Sequence, residues 1–287
     1  MLLRSVAWLF SYMPHRLRWW CATASARIAC VLRVRRILIA EDNIRTSFPD
    51  YTEEEVKKTA FSSAQNLFQV FFEMPFIARA SRRQLMQFIR ADNNGEIKEL
   101  LAHRKKAVFI SGHYGNWECI ALSGPLLLDC PVTIVVKPQR NVRINAMLES
   151  MRSRFGNTVI PMEGSIRKMM HLLDDNKSVA LLADQSATRQ DIFVDFFGRS
   201  APTYKTAAAL SLRFHAPLIF GMAKREAGFY RVHYQEIPSA DLGGPTEENI
   251  RILTERHVKV LETAIRENPG HWSWYHRRWK HTKMTNG

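Results

Sequence analysis

The chain has 287 residues, 46% hydrophobic and 24% charged, enough for one large domain or two small ones with a core, and this excludes a disordered tail. Forty-one Lys and Arg against 27 Asp and Glu leave a net charge of +14, which favours an anionic partner: nucleic acid, an acidic protein or a membrane with anionic headgroups. Cys21, Cys30, Cys119 and Cys130 form no CxxC pair, so they support neither a structural zinc site nor a disulfide scaffold, and they read as free thiols in a reducing compartment.

Residues 1–40 hold seven Arg, no Lys and no acid. Apolar blocks at Val6–Met13 and Trp19–Val34 flank that charge, and neither reaches the roughly 18–20 uncharged residues of a spanning helix. Trp8, Tyr12, Trp19 and Trp20 suit a water–lipid boundary. Arg-rich segments with aromatic anchors lie in the interface plane. A core helix with snorkelling Arg and an organelle transit peptide are the competing readings. No secretory cleavage pattern follows, so a cytosol-facing protein is expected.

Thr52-Glu53-Glu54-Glu55 has the pattern of a capping box and predicts a helix start. Val56, Ala60, Ala64, Leu67, Phe68 and Phe71 then recur at helical spacing. Asn93-Asn94-Gly95 marks a break before a short helix over 96–103. Strands are expected at Ala107–Ser111, Val132–Val136, Thr158–Pro161, Ser178–Ala183, Leu218–Ala223 and Tyr230–Gln235. Helices are expected at Asn116–Leu128, Arg143–Phe155, Ser165–Asp174, near 204–214, and at Thr246–Glu267. This alternation predicts an α/β fold with a mixed, largely parallel sheet flanked by helices.

The sharpest local feature is Ser111-Gly112-His113-Tyr114-Gly115-Asn116-Trp117-Glu118. It leaves a strand and opens a helix, a place where α/β folds carry chemistry. On one continuous helix His113 and Glu118 would stand about 140° apart. The pair therefore makes sense with His113 in the loop and Glu118 in the helix. There the carboxylate would fix the imidazole tautomer, freeing the other nitrogen to accept a proton from an alcohol.

This stretch resembles the His-x4-Asp/Glu motif of acyltransferases, specifically the bacterial lipid A biosynthesis acyltransferase family (the lauroyl and myristoyl transferases). Further matches follow in family order: Arg35-Arg36 with Asn43, Phe48 and Pro49; Val136-Lys137-Pro138 with Asn141; Asp184-Gln185; Phe196-Phe197-Gly198-Arg199; and Trp274-Tyr275-His276-Arg277-Arg278-Trp279-Lys280. The resemblance implies a glycerolipid-acyltransferase-like fold, with residues 1–50 as a basic, aromatic, membrane-associating segment and 51–287 as the catalytic domain. It implies acyl transfer from acyl carrier protein to a lipid A precursor hydroxyl at the cytoplasmic face of the bacterial inner membrane. His113 is then the general base with Glu118 as its partner. No covalent acyl-enzyme, metal or cofactor beyond the acyl-acyl carrier protein co-substrate is expected.

Lys137, Arg140, Asn141, Asp184, Gln185, Arg277 and Arg278 are the expected substrate contacts; Arg suits bidentate phosphate binding. The expected partners are acyl carrier protein, an anionic glycolipid acceptor and a membrane surface, with no nucleic acid. The rivals are a lysophospholipid, ornithine-lipid or other glycolipid acceptor; a nucleic-acid-binding protein using the basic, aromatic tail His271–Lys283; and a non-catalytic membrane scaffold.

Overall fold

The computed structural model describes residues 10–188 and 190–281. Trp8, the start of the Val6–Met13 block and the last two residues of the basic tail lie outside them.

After a helical turn at Phe10–Ser11, the described residues run through α1 (His15–Val31), α2 (Arg35–Ser47) and α3 (Glu53–Arg79). Thr52 caps α3 through the expected capping box with Glu55. Pro75 lies inside α3 and has no N–H for the helical ladder. A short helix α4 (Arg82–Phe88), strand β1 (Ile89–Ala91) and helix α5 (Asn94–Arg104) lead into the alternating region. That region runs β2 (Val108–Ser111), α6 (Trp117–Leu127), β3 (Val132–Val136), α7 (Val142–Arg152), β4 (Thr158–Pro161), α8 (Ser165–Asp174) and β5 (Ser178–Leu182). A hairpin β6 (Ile192–Phe196)/β7 (Arg199–Thr203) follows, then α9 (Thr206–Phe214), β8 (Leu218–Arg225), β9 (Tyr230–Ile237) and α10 (Glu247–Glu267).

Seven strands form one sheet in the order β1-β9-β8-β2-β5-β3-β4. Every neighbouring pair is parallel except β8 with β9. The expected mixed, largely parallel α/β sheet is thus the observed one. Parallel strands need crossovers and are covered on both faces, and their sequences accordingly run apolar throughout. Val132-Thr133-Ile134-Val135-Val136 illustrates this in β3. Side-chain alternation divides the core between the faces: Leu218 and Phe220 join one buried cluster and Ile219 the other.

Among the described residues before Asp50, α1 and α2 pack into the body of the fold. Ala26 of α1 and Ile37, Ala40 and Ile44 of α2 belong to the same buried cluster as the strands. Asn43 donates to the carbonyls of Trp274 and His276, tying α2 to the C-terminal segment. The opposite side of α1 stays in solvent, with Leu17, Trp20, Ile28 and Val31 exposed at helical spacing. No described helix is long and apolar enough to cross a membrane.

Candidate active site

The motif loop leaves the carboxyl end of β2, and the segment Ala183-Asp184-Gln185 leaves the carboxyl end of β5. These strands are adjacent and parallel, with Ser111 opposite Leu182. His113 and Asp184 each lie two residues past that paired position, so they meet. Asp184 Oδ1 lies 2.8 Å from His113 Nδ1, and Oδ2 accepts the His113 backbone N–H at 2.7 Å. Trp272 Nε1 donates to Oδ2 at 2.9 Å. The approach is close enough that a Cβ on Gly112 would sit 3.3 Å from the Asp184 side chain.

The electrostatics follow from this contact. Burial, the largest single influence, would push His113 down, but the charge and hydrogen bond of Asp184 together with the Glu118 charge hold the imidazole above its ordinary value. Burial alone would push Asp184 up, but the charge and two hydrogen bonds of His113, with the nearby His276, hold it well below the ordinary carboxylate range. An ionised Asp184 fixes the neutral imidazole with its proton on Nδ1 and its lone pair on Nε2. Nε2 faces the exposed Gln185, whose Nε2 lies 3.4 Å away.

The expectation that Glu118 fixes the His113 tautomer is corrected here: Asp184 occupies Nδ1. Glu118 does stand in the first turn of α6, but its carboxylate faces α7 and is 1% exposed. Arg152 Nε lies 2.8 Å from Oε2 and Nη2 lies 2.6 Å from Oε1, a bidentate pair. Trp117 Nε1 also donates to Glu118, and the Trp117 ring lies 5.0 Å from the His113 ring. Glu118 and Arg152 both act on His113 electrostatically, Glu118 raising its pKa and Arg152 lowering it. The Glu118–Arg152 pair thus acts across space, through no hydrogen bond to the imidazole.

The loop itself is held from several sides. Ser273 N–H donates to the His113 carbonyl, and Gly115 N–H to the His271 carbonyl. Asn66 Nδ2 donates to the Gly115 carbonyl at 3.0 Å. Gly115 has φ +57°, and a Cβ there would fall 1.7 Å from the Ala223 carbonyl oxygen, so no other residue fits. Asn116 caps α6, its Oδ1 accepting from the N–H groups of Glu118 and Cys119.

The other expected contacts divide. Lys137 and Arg140 are exposed beyond the carboxyl end of β3, which neighbours β5 on the side away from β2. His113, Asp184–Gln185 and Lys137 therefore follow one another along a single sheet edge. Asn141 is a cap: its Oδ1 accepts from Arg143 N–H and Ile144 N–H, starting α7. Arg277 is exposed.

Arg278, expected to meet substrate phosphate, is turned into the protein instead. It is 1% exposed, its Nη1 and Nη2 donate to the Pro202 carbonyl and Thr203 Oγ1, and its guanidinium lies 5.3 Å from the centre of the Phe196 ring. The aromatic tail is core as well, with Trp272, Trp274, Tyr275 and Trp279 all buried, so these rings offer no stacking surface for bases. A cavity of about 560 Å³ between α1, α3 and the β8–β9 turn is lined by Trp19, Asn66, Arg225 and His271 among others. It meets the residues that hold Gly115, the Asn66 side chain and His271, whose backbone carbonyl accepts the Gly115 N–H, and His113 is not among its lining residues.

Two comparisons bear on this site. The family profile described as bacterial lipid A biosynthesis acyltransferase matches residues 2–281. A lipid A biosynthesis acyltransferase of Haemophilus influenzae is 24% identical over 241 residues, covering 82% of this chain and 73% of that protein. A phosphatidylinositol mannoside acyltransferase of Mycolicibacterium smegmatis is 23% identical over 176 residues, covering 59% of this chain and 56% of that protein.

Proposed function

Because the chain belongs to the bacterial lipid A biosynthesis acyltransferase family and is an acyltransferase enzyme, we propose that it moves a fatty acyl chain from acyl carrier protein to a hydroxyl of a lipid A precursor, with His113 as general base. The observation that carries this reading is the His113–Asp184 pair, which leaves Nε2 as the acceptor nitrogen at the carboxyl edge of the sheet, met there by the exposed Gln185 amide at 3.4 Å. Nε2 takes the proton of the acceptor hydroxyl as its oxygen attacks the thioester carbonyl. The tetrahedral intermediate collapses, the C–S bond breaks, and the leaving thiolate recovers the proton from His113. The nucleophile is the substrate's own oxygen, so no acyl-enzyme forms. Glu118 beside Arg152 sets the field in which the imidazolium forms.

The exposed cations Lys137, Arg140 and Arg277 support an anionic acceptor, and the net charge of +14 supports an acidic carrier protein. The apolar outer side of α1 supports association with the cytoplasmic face of the inner membrane. The relatedness to a phosphatidylinositol mannoside acyltransferase favours one second reading, a different glycolipid acceptor on the same machinery. Purified protein incubated with acyl-acyl carrier protein and a lipid A precursor tests both. Mass spectrometry should show a gain of one acyl unit on the precursor, absent with His113→Ala. Transfer to another glycolipid, with the lipid A precursor unchanged, would select the second reading, and full transfer by His113→Ala would refute the base.

A further inference from the structure

Glu73 lies in the last third of α3, carries no match to the sequence motifs, and is fully buried. Gln69 Nε2 donates to its Oε1 at 2.8 Å. Asn116 Nδ2 and the Tyr230 hydroxyl donate to its Oε2 at 2.9 and 2.7 Å. Three donors meet its two oxygens, and Glu73 accepts in each of these hydrogen bonds. Leaving such a group buried is costly without full satisfaction, so its presence calls for a purpose.

The geometry points to Glu73 as a positioning residue for the catalytic loop, an inference that rests on the acyltransferase reading above. Asn116 joins the two. Its Nδ2 is held by Glu73 while its Oδ1 caps the N–H groups of Glu118 and Cys119. With its nitrogen tethered, the amide cannot turn over, so the first turn of α6 is fixed in rotation. That turn carries Glu118 and Trp117, which stand against Arg152 and the His113 ring. Seven residues earlier in α3, on the same helical face, Asn66 holds the Gly115 carbonyl. One face of α3 therefore grips the loop at two successive residues, Gly115 and Asn116.

The anchor also reaches the N-terminal helix. Arg18 of α1 is 5% exposed, lies over Phe76, and feels Glu73 as its principal attractive charge. Arg225 donates to the Tyr230 hydroxyl that in turn donates to Glu73. Glu73 is thus the common point between α1, whose outer side is apolar and exposed, and the loop that carries His113.

Reversing the polarity of one hydrogen bond tests this. Glu73→Gln turns an acceptor toward Asn116 into a donor or leaves a weaker acceptor, and Asn116→Asp sets two carboxylates face to face. The double variant Glu73→Gln/Asn116→Asp restores a hydrogen bond in the opposite sense and keeps an Asp, a good helix cap, at the start of α6. Each single variant should lower kcat by about tenfold to a hundredfold, with KM little changed. Each should also speed hydrogen exchange at the Glu118 and Cys119 amides. The double variant should recover both. Wild-type kcat and exchange in Glu73→Gln, or a double variant no better than the singles, would overturn the inference. Should the wild-type protein transfer no acyl chain, the functional reading fails, and the exchange pattern alone decides whether Glu73 positions the loop.

Discussion

Asp184 approaches His113 because both lie two residues past a matched pair, Ser111 and Leu182, on adjacent parallel strands. The orientation of the carboxylate is fixed independently, since Oδ2 already accepts the His113 backbone N–H and Trp272 Nε1. Those two donors decide how an amide would sit in Asp184→Asn: its oxygen must take the Oδ2 place. Its NH2 then faces Nδ1, which becomes an acceptor, and the imidazole proton moves to Nε2. The nitrogen that must accept the substrate proton is thereby blocked. The expected loss in kcat is about 10²–10⁴-fold, read by steady-state kinetics, and a kcat near the wild-type value would refute the orienting role.

The same pair sets the pH dependence. Burial lowers the His113 pKa, Asp184 and, to a smaller degree, Glu118 raise it, and the net shift is upward from 6.5. The base works only when deprotonated, so kcat/KM should rise with pH along a limb centred above 6.5 and level off beyond it. Replacing Asp184 with Asn removes the charge that holds the proton, so the limb should move to lower pH while the plateau falls. A wild-type limb centred below 6.5 would contradict the assignment.

Much of this was legible in the chain because the informative signals were local. The strand ends at Ser111 and near Leu182, the glycines of the motif loop and the helix start before Glu118 all follow from short stretches. What stayed hidden was strand order. Nothing within the motif says that β5 lies beside β2, so the spacing of His113 and Glu118 suggested the wrong carboxylate for Nδ1, although Asp184 was already a candidate for substrate contact. Arg152, the partner that Glu118 takes, is 34 residues away. Arg278 and the tail tryptophans read as a basic, aromatic surface because composition does not reveal burial, and only the packing of Phe196, Trp272 and Trp279 does. Glu73 gave no motif signal, since an acid within an apolar helical stripe gains meaning only from the loop packed against it.

Arg152 and Lys137 should respond to mutation in different ways. Removing Arg152 as Arg152→Met leaves the Glu118 carboxylate buried without its bidentate partner, and breaking such a pair costs about 3–5 kcal/mol. Denaturant melts should show that loss. Lys137 is exposed at the sheet edge, so Lys137→Ala should leave the melt unchanged and raise KM for an anionic acceptor. A stable Arg152→Met protein would mean that Glu118 finds another partner or takes up a proton.

Acid should destabilise the fold around the site. Burial holds His257 at about 3 and both His271 and His276 at about 4, below the unfolded value of 6.5. Their folded pKa values are depressed, so between these values and 6.5 the unfolded chain binds more protons than the native one. Stability is therefore full above about pH 6.5 and falls as the pH drops toward 4, each group contributing at most about 1.4 kcal/mol per pH unit. Thermal melts across pH 4–7 should show this decline, and a melting temperature constant over that range would show that the three imidazoles become charged without unfolding.

The outer side of α1 gives the membrane proposal its test. Trp20, Ile28 and Val31 are 67%, 60% and 75% exposed and recur at helical spacing, with Arg16 and Arg27 also exposed on the helix. A helix with this arrangement lays its apolar side into the headgroup boundary while its arginines meet anionic lipids. Each apolar side chain transferred from water contributes about 1.5–3 kcal/mol when fully buried. Trp20→Glu with Val31→Glu should therefore weaken binding to anionic vesicles by about tenfold or more. Neither side chain belongs to the core, so the melting temperature should stay at the wild-type value. Sedimentation with vesicles at low and high salt separates the apolar loss from the charge contribution. Unchanged binding in the double variant would show that α1 does not seat the protein on the bilayer.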